Sequence, residues 1–93
     1  MGQLLTMLKT DLGIMSTSAY DLRLEQYLKQ AAKAIRQEGA TTVDPCNSDD
    51  AELIVKYAAW QWRRRDTMEG MPRMLRWMLN NRVMAEKAGA DNG

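Results

Sequence analysis

Between Ala19 and Glu38 the residues Tyr20, Leu24, Tyr27, Leu28, Ala31 and Ile35 recur at helical spacing, while Arg23, Gln26, Gln30, Lys33 and Gln37 fall on the other side. An apolar stripe of this kind marks a helix with one face turned to a core. Gly39 follows where a helix ends in a left-handed residue, so the pattern has a defined stop as well as a face. The remaining segments read the same way. Leu4, Leu5, Leu8 and Leu12 lie along one side of a short helix predicted from Gln3 to about Asp11, with Gly13 as its stop. Ser16, Thr17 and Ser18 form a linker whose last residue is placed to cap the second helix, expected over Ala19 to Glu38.

Ala40 to Asn47 is a loop, with Thr41, Thr42, Val43 and Pro45 in it. Asn47 or Ser48 can cap a third helix, and Asp49, Asp50 and Glu52 put negative charge at its positive end. That helix is predicted to run to about Asp66, with Arg63, Arg64 and Arg65 meeting the negative end. Leu53, Ile54, Tyr57, Ala58, Trp60 and Gln61 make a broad face, which Val55, Ala59 and Trp62 widen nearly all round. The third helix should therefore be buried on more than one side, and it carries more apolar surface than one antiparallel neighbour hides.

Thr67 to Met71, with Gly70, reads as a turn, and Pro72 suits the first position of a fourth helix. Met71, Met74, Leu75, Met78 and Leu79 form its predicted inner stripe. Trp77 and Met84 mark a second apolar strip outside it. Gly89 is the expected stop, leaving residues 90–93 as a frayed tail. The sum is an all-α chain: one domain over residues 1–93, a compact bundle of about four helices.

A chain of 93 residues buries a smaller share of its surface than a larger domain does, so partners that cover more of it add stability. The sequence has no histidine, which removes the commonest general base and metal ligand. Its single cysteine, Cys46, excludes an internal disulfide and any multi-cysteine zinc site, and fits a reducing compartment. Asp49, Asp50 and Glu52 could do acid–base work, but a helix start favours acids for electrostatic reasons alone. Ser16, Thr17, Ser18 and Ser48 lack a histidine to activate them, and no glycine-rich phosphate loop is present. No catalytic, cofactor or metal site is expected. Met1 to Thr6 matches a loose myristoylation pattern, yet no polybasic segment follows to support a single acyl chain.

Charge is unevenly distributed. From Ala40 to Trp62 there are four acids and one base, and from Arg63 to Gly89 seven bases and three acids. This polarity suits head-to-tail association between copies, in which opposite charges set register. Contact with nucleic acid through Arg63, Arg64, Arg65, Arg73, Arg76 and Arg82 is the other reading, although a sequence pI near 7.9 is below that of a dedicated nucleic-acid binder.

The last two predicted helices carry a likeness. Asp50-Ala51-Glu52-Leu53-Ile54, Tyr57-Ala58-Ala59-Trp60, Arg64-Arg65-Asp66, Gly70-Met71-Pro72-Arg73-Met74-Leu75-Arg76-Trp77 and Leu79-Asn80-Asn81-Arg82 together resemble the small head–tail connector proteins of tailed bacteriophages. These are also called adaptor or head-completion proteins. The likeness spans about Leu4 to Gly89, and the run from Gly70 to Trp77 is its most specific part. It implies a helical subunit that forms a ring with copies of itself, typically twelvefold in the virion. Such a ring docks beneath the portal protein, extends the channel for packaged DNA and receives the next connector or tail component. The resemblance implies a virion location at the head–tail junction, synthesis in the bacterial cytoplasm, and neither enzymatic activity nor a cofactor. Trp60, Trp62, Trp77 and Met84 are then candidates for packing within or between subunits. Arg63, Arg64, Arg65, Arg73 and Arg76 are candidates for contact with an acidic neighbour or with the DNA. Two other classes stay open: a DNA-binding regulator with its last two helices as a helix-turn-helix, and a non-catalytic small subunit of an enzyme complex.

Overall fold

The computed structural model describes residues 2–67 and 70–91 and is all-helical, with no strand among the described residues. Its four helices are α1 (Gly2–Leu12), α2 (Asp21–Gln37), α3 (Ser48–Thr67) and α4 (Arg73–Asp91). Among the described residues no helix is long and apolar enough to cross a membrane. The order and number of helices match the sequence reading. α3 lies at the centre, and α1, α2 and α4 all pack on it.

The core explains that arrangement. Leu4 and Leu8 of α1, together with Leu24, Leu28, Ala31, Ala32 and Ile35 of α2, are buried against Leu53, Ile54, Val55, Ala58 and Ala59 of α3. Alanines at Ala31, Ala32, Ala58 and Ala59 keep these surfaces low, which lets helix axes approach closely. From Leu53 to Trp60 every residue of α3 except Lys56 is buried. The all-round apolar character of this helix is therefore satisfied mostly inside the chain, by three neighbouring helices. This agrees with the reading that α3 is buried on more than one side; exposed large apolar side chains line α4 at Met74, Trp77 and Met84, with Leu22 exposed on α2.

The glycine stops hold at two of three places. Gly13 has φ +73; its N–H donates to the Thr10 carbonyl and that of Ile14 to Lys9, closing α1 with a paired Schellman pattern. Gly39, at φ +126, closes α2 with the same pairing through Arg36 and Ile35. Gly89 does not stop α4, which continues through residues 90 and 91, while residues 92 and 93 lie outside the described residues. A glycine costs a helix only about 1 kcal/mol relative to alanine, too little to end it without a capping contact.

Helix starts moved slightly. α2 begins at Asp21 rather than Ala19, and the Ser18 hydroxyl does not cap it. The Thr17 hydroxyl instead accepts the Ala19 N–H, and the Tyr20 carbonyl accepts the first helical bond, from Leu24. Asn47 caps α3, its side-chain oxygen accepting the N–H groups of Asp49 and Asp50 at 3.0 and 3.1 Å. Pro72 stands one residue before α4, where its carbonyl accepts the Arg76 N–H. Part of the predicted Thr67 to Met71 turn, Met68 and Glu69, lies outside the described residues, and Thr67 itself ends α3.

Candidate assembly surface

α4 runs antiparallel to α3. The Trp60 indole Nε1 donates to the Gly70 carbonyl at 3.1 Å at one end, and Arg82 pairs with Asp50 at the other. Between these points Leu75 and Leu79 are buried, with Met78 half-buried beside them. Past Arg82, α4 outruns the start of α3 and lies against the loop that follows α2.

A polar clasp fixes that overhang. The Glu86 carboxylate accepts the Thr41 N–H at 2.8 Å and its hydroxyl at 2.6 Å, and both the N–H and hydroxyl of Thr42 at 2.6 Å. The Thr41 and Thr42 hydroxyls, then the backbone donors, favour the ionised form and hold this carboxyl down to about 2. Arg82 donates from Nε to Asp50 Oδ1 at 2.7 Å and from Nη2 to the Thr42 hydroxyl at 3.1 Å. The Asp50 bond, chiefly, raises the arginine pKa further. Asp50, the one buried charged residue among the described residues, also accepts the Asp44 N–H at 2.9 Å. Its carboxylate is thus a structural hub joining the loop, α3 and α4.

This network was not visible in the sequence, where Thr41 and Thr42 are more than forty residues from Glu86 and no local pattern connects them. It also reassigns Arg82, counted above among the free basic excess: the residue is an internal ion-pair partner.

The three tryptophans occupy three environments. Trp60 is buried, edge-on to Tyr57 with centroids 5.4 Å apart. Trp62 is half-buried at the other side of α3, meeting Tyr20 and Tyr27 edge-on at 5.6 and 5.5 Å. Trp77 is 61% exposed on α4. Of the four predicted packing residues, Trp60 and Trp62 thus pack within the subunit, and Trp77 and Met84 face outward.

The predicted arginines are likewise divided. Arg63 donates to the Asp11 carbonyl at 3.2 Å and lies 3.9 Å from its carboxylate, which Lys56 also holds at 2.9 Å. Arg76 pairs with Glu38 at 3.7 Å. The Arg64 guanidinium lies over the Trp60 ring at 4.9 Å and that of Arg65 over Trp62 at 3.7 Å, contacts that hold the side chains in place. Arg73 is exposed at the start of α4. The five do not form one patch: Arg63 and Arg76 pair with Asp11 and Glu38, Arg64 and Arg65 lie over different rings, and Arg73 stands at the start of α4.

Met74, expected on the inner stripe of α4, is instead 67% exposed. The buried line runs through Leu75 and Leu79, and a position one residue before Leu75 is rotated by about 100°. Met74 belongs with Trp77 and Met84, the latter 65% exposed. Together with Asn81 and Ala88, both exposed, they form a line at alternating spacings of three and four residues, the repeat of a coiled-coil seam. On one flank of this line lie Arg73, Asn80 and Lys87, all exposed. On the other flank a shallow groove between α3 and α4 places Asp49 and Glu52 beside Trp77 and Asn81.

Among the described residues no group of three acidic or thiol side chains converges as a metal site would require. Comparison with known protein families, curated proteins and solved structures finds no match for this chain.

Proposed function

We propose that this chain is a structural assembly subunit that binds a neighbour through the outward face of α4, and that it acts as a head–tail connector in a phage virion. The observation that carries the assembly reading is the exposed seam of Met74, Trp77 and Met84. Large apolar side chains aligned on one face of a small domain mark an interaction surface, and tryptophan and methionine are enriched at interface centres. The connector assignment adds the sequence likeness, whose most specific run, Gly70 to Trp77, leads into α4 and includes two of the three seam residues. In this role copies form a ring beneath the portal protein, hand the DNA channel on to the next connector, and touch the passing DNA non-specifically through exposed arginines such as Arg64.

A helix-turn-helix regulator fits less well. Such motifs set two short helices at about 90–120°, whereas α3 and α4 are long and antiparallel, joined by contacts near both ends.

Electron microscopy of the chain mixed with portal-bearing heads tests the proposal. Decoration of the portal vertex is expected, with loss on Trp77→Ser and on Arg73→Glu. Arg73 is the better charge-reversal probe because Arg76→Glu also breaks the pairing with Glu38. Bare vertices at saturating concentrations of folded chain would end the connector reading.

A further inference from the structure

We infer that the free chain pairs with a second copy of itself, with two α4 helices side by side and parallel and their seams in contact. The inference goes beyond the connector reading and concerns the chain before any virion component is present. It uses the same seam.

The spacing selects the kind of contact. With Met74, Asn81 and Ala88 at one set of seam positions and Trp77 and Met84 at the other, α4 repeats every seven residues for two full repeats. Charge then selects the partner and its direction. Arg73, Asn80 and Lys87 stand at the flanking position before each residue of the first set. In an antiparallel pair this flank faces its own copy, so Arg73 would stand beside the partner copy's Lys87, two cations at the edge of an apolar contact. A parallel pair removes the conflict. Two-fold symmetry along the helices then brings the cationic flank of each copy toward the acidic rim of the other, where Asp49 and Glu52 border Trp77 and Asn81.

Asn81 supports the same choice. A single asparagine among apolar seam residues costs stability unless it meets a hydrogen-bonding partner, and in a parallel pair it meets the other copy's asparagine. The contact is isologous and closed, so it stops at two copies and cannot grow. A chain that pairs this way hides its seam until a better surface competes for it.

Oxidative cross-linking of the full chain gives a direct test, with exposed Cys46 removed by Cys46→Ser. Seam positions of this set come close enough in a parallel pair for a disulfide, which needs Cα atoms roughly 4.4–6.8 Å apart. Asn81→Cys and, separately, Met74→Cys should each give a covalent dimer. A mixture of Met74→Cys and Ala88→Cys chains should give no mixed product. Because Asn81→Cys also alters the seam, sedimentation of the unmodified chain is the second measurement. A dimer is expected, and Trp77→Ser should weaken it by roughly thirtyfold or more, as removal of a central aromatic anchor does. A mixed product joining positions 74 and 88 overturns the parallel arrangement. A monomer at the highest soluble concentration, with no cross-link at either position, overturns the pairing altogether. Both measurements use the chain alone, so their failure is separate from bare portal vertices.

Discussion

α2 and α4 are close in length, 17 and 19 residues, yet they are held by different forces. α2 buries Leu24, Leu28, Ala31, Ala32 and Ile35, one on nearly every turn, whereas α4 buries Leu75 and Leu79. Apolar burial stabilises by roughly 25 cal/mol per Å² and is tolerant of small slides along the axis. Hydrogen bonds and ion pairs require particular atoms at particular distances. What α4 lacks in buried area it makes up in registration: Glu86 on Thr41 and Thr42, and Arg82 on Asp50, leave one way to set the helix down. The helix with the smaller core contribution turns three large apolar residues outward, Met74, Trp77 and Met84, against Leu22 alone on α2.

The sharpest contrast is expected from core truncation. Leu28→Ala should cost about 2–5 kcal/mol and unfold all four helices together, because Leu28 is fully buried between α2 and the centre of the bundle. Chemical denaturation followed by circular dichroism reads this directly. A loss under 1 kcal/mol, by the same bookkeeping, would mean that α2 is not the main buttress.

A smaller effect is expected where the two helices touch. Gly39→Ala forces a side chain into φ +126 and brings its Cβ to 3.0 Å from the Val83 Cγ1, so about 1–3 kcal/mol of strain should follow. Hydrogen exchange should show the second half of α4 loosening before α1 and α2. Uniform loosening would show that the α2–α4 junction is not a separable contact.

The smallest effect at neutral pH, and the most specific, comes from acid. The Glu86 carboxyl titrates at about 2 in the folded chain and near 4.5 when unfolded. A depressed carboxylate contributes stability that is fully present above its unfolded value and is lost as pH falls toward the folded one. Protection of α4 amides should thus be flat from neutrality to about pH 5 and decline between there and pH 2. Glu86→Gln should abolish that slope, and an unchanged slope would assign it to other carboxylates.

The same contrast explains what could be read from the sequence. α2 was legible end to end within two residues because its stripe is dense and its glycine stop is local. The centrality of α3 was legible as apolar character all round, but which molecule covers it was not, since periodicity counts apolar residues without saying where their neighbours come from. α4 misled on Met74 because two apolar lines run side by side, and adjacent methionines on different lines look alike until the buried one is known. Asp50, Arg82, Thr41, Thr42 and Glu86 were individually ordinary. Their meeting is a product of tertiary geometry, and residues that looked like loop chemistry, helix cap and basic excess became one network. The tryptophans of α3 have Tyr20, Tyr27, Tyr57 and two arginines of the same chain as partners, contacts that no local spacing in the sequence specifies.

The three different settings of the indoles have an optical consequence. Intrinsic emission of the single chain is a sum of a buried fluorophore and a half-buried one, each with a guanidinium over its ring, and one bathed in solvent. In the unpaired chain a water-soluble quencher should reach Trp77 first, so the red edge of the spectrum reports on that ring almost alone. Any molecule that settles over α4 will shift this edge to the blue and shield it, making contact visible without attaching a dye.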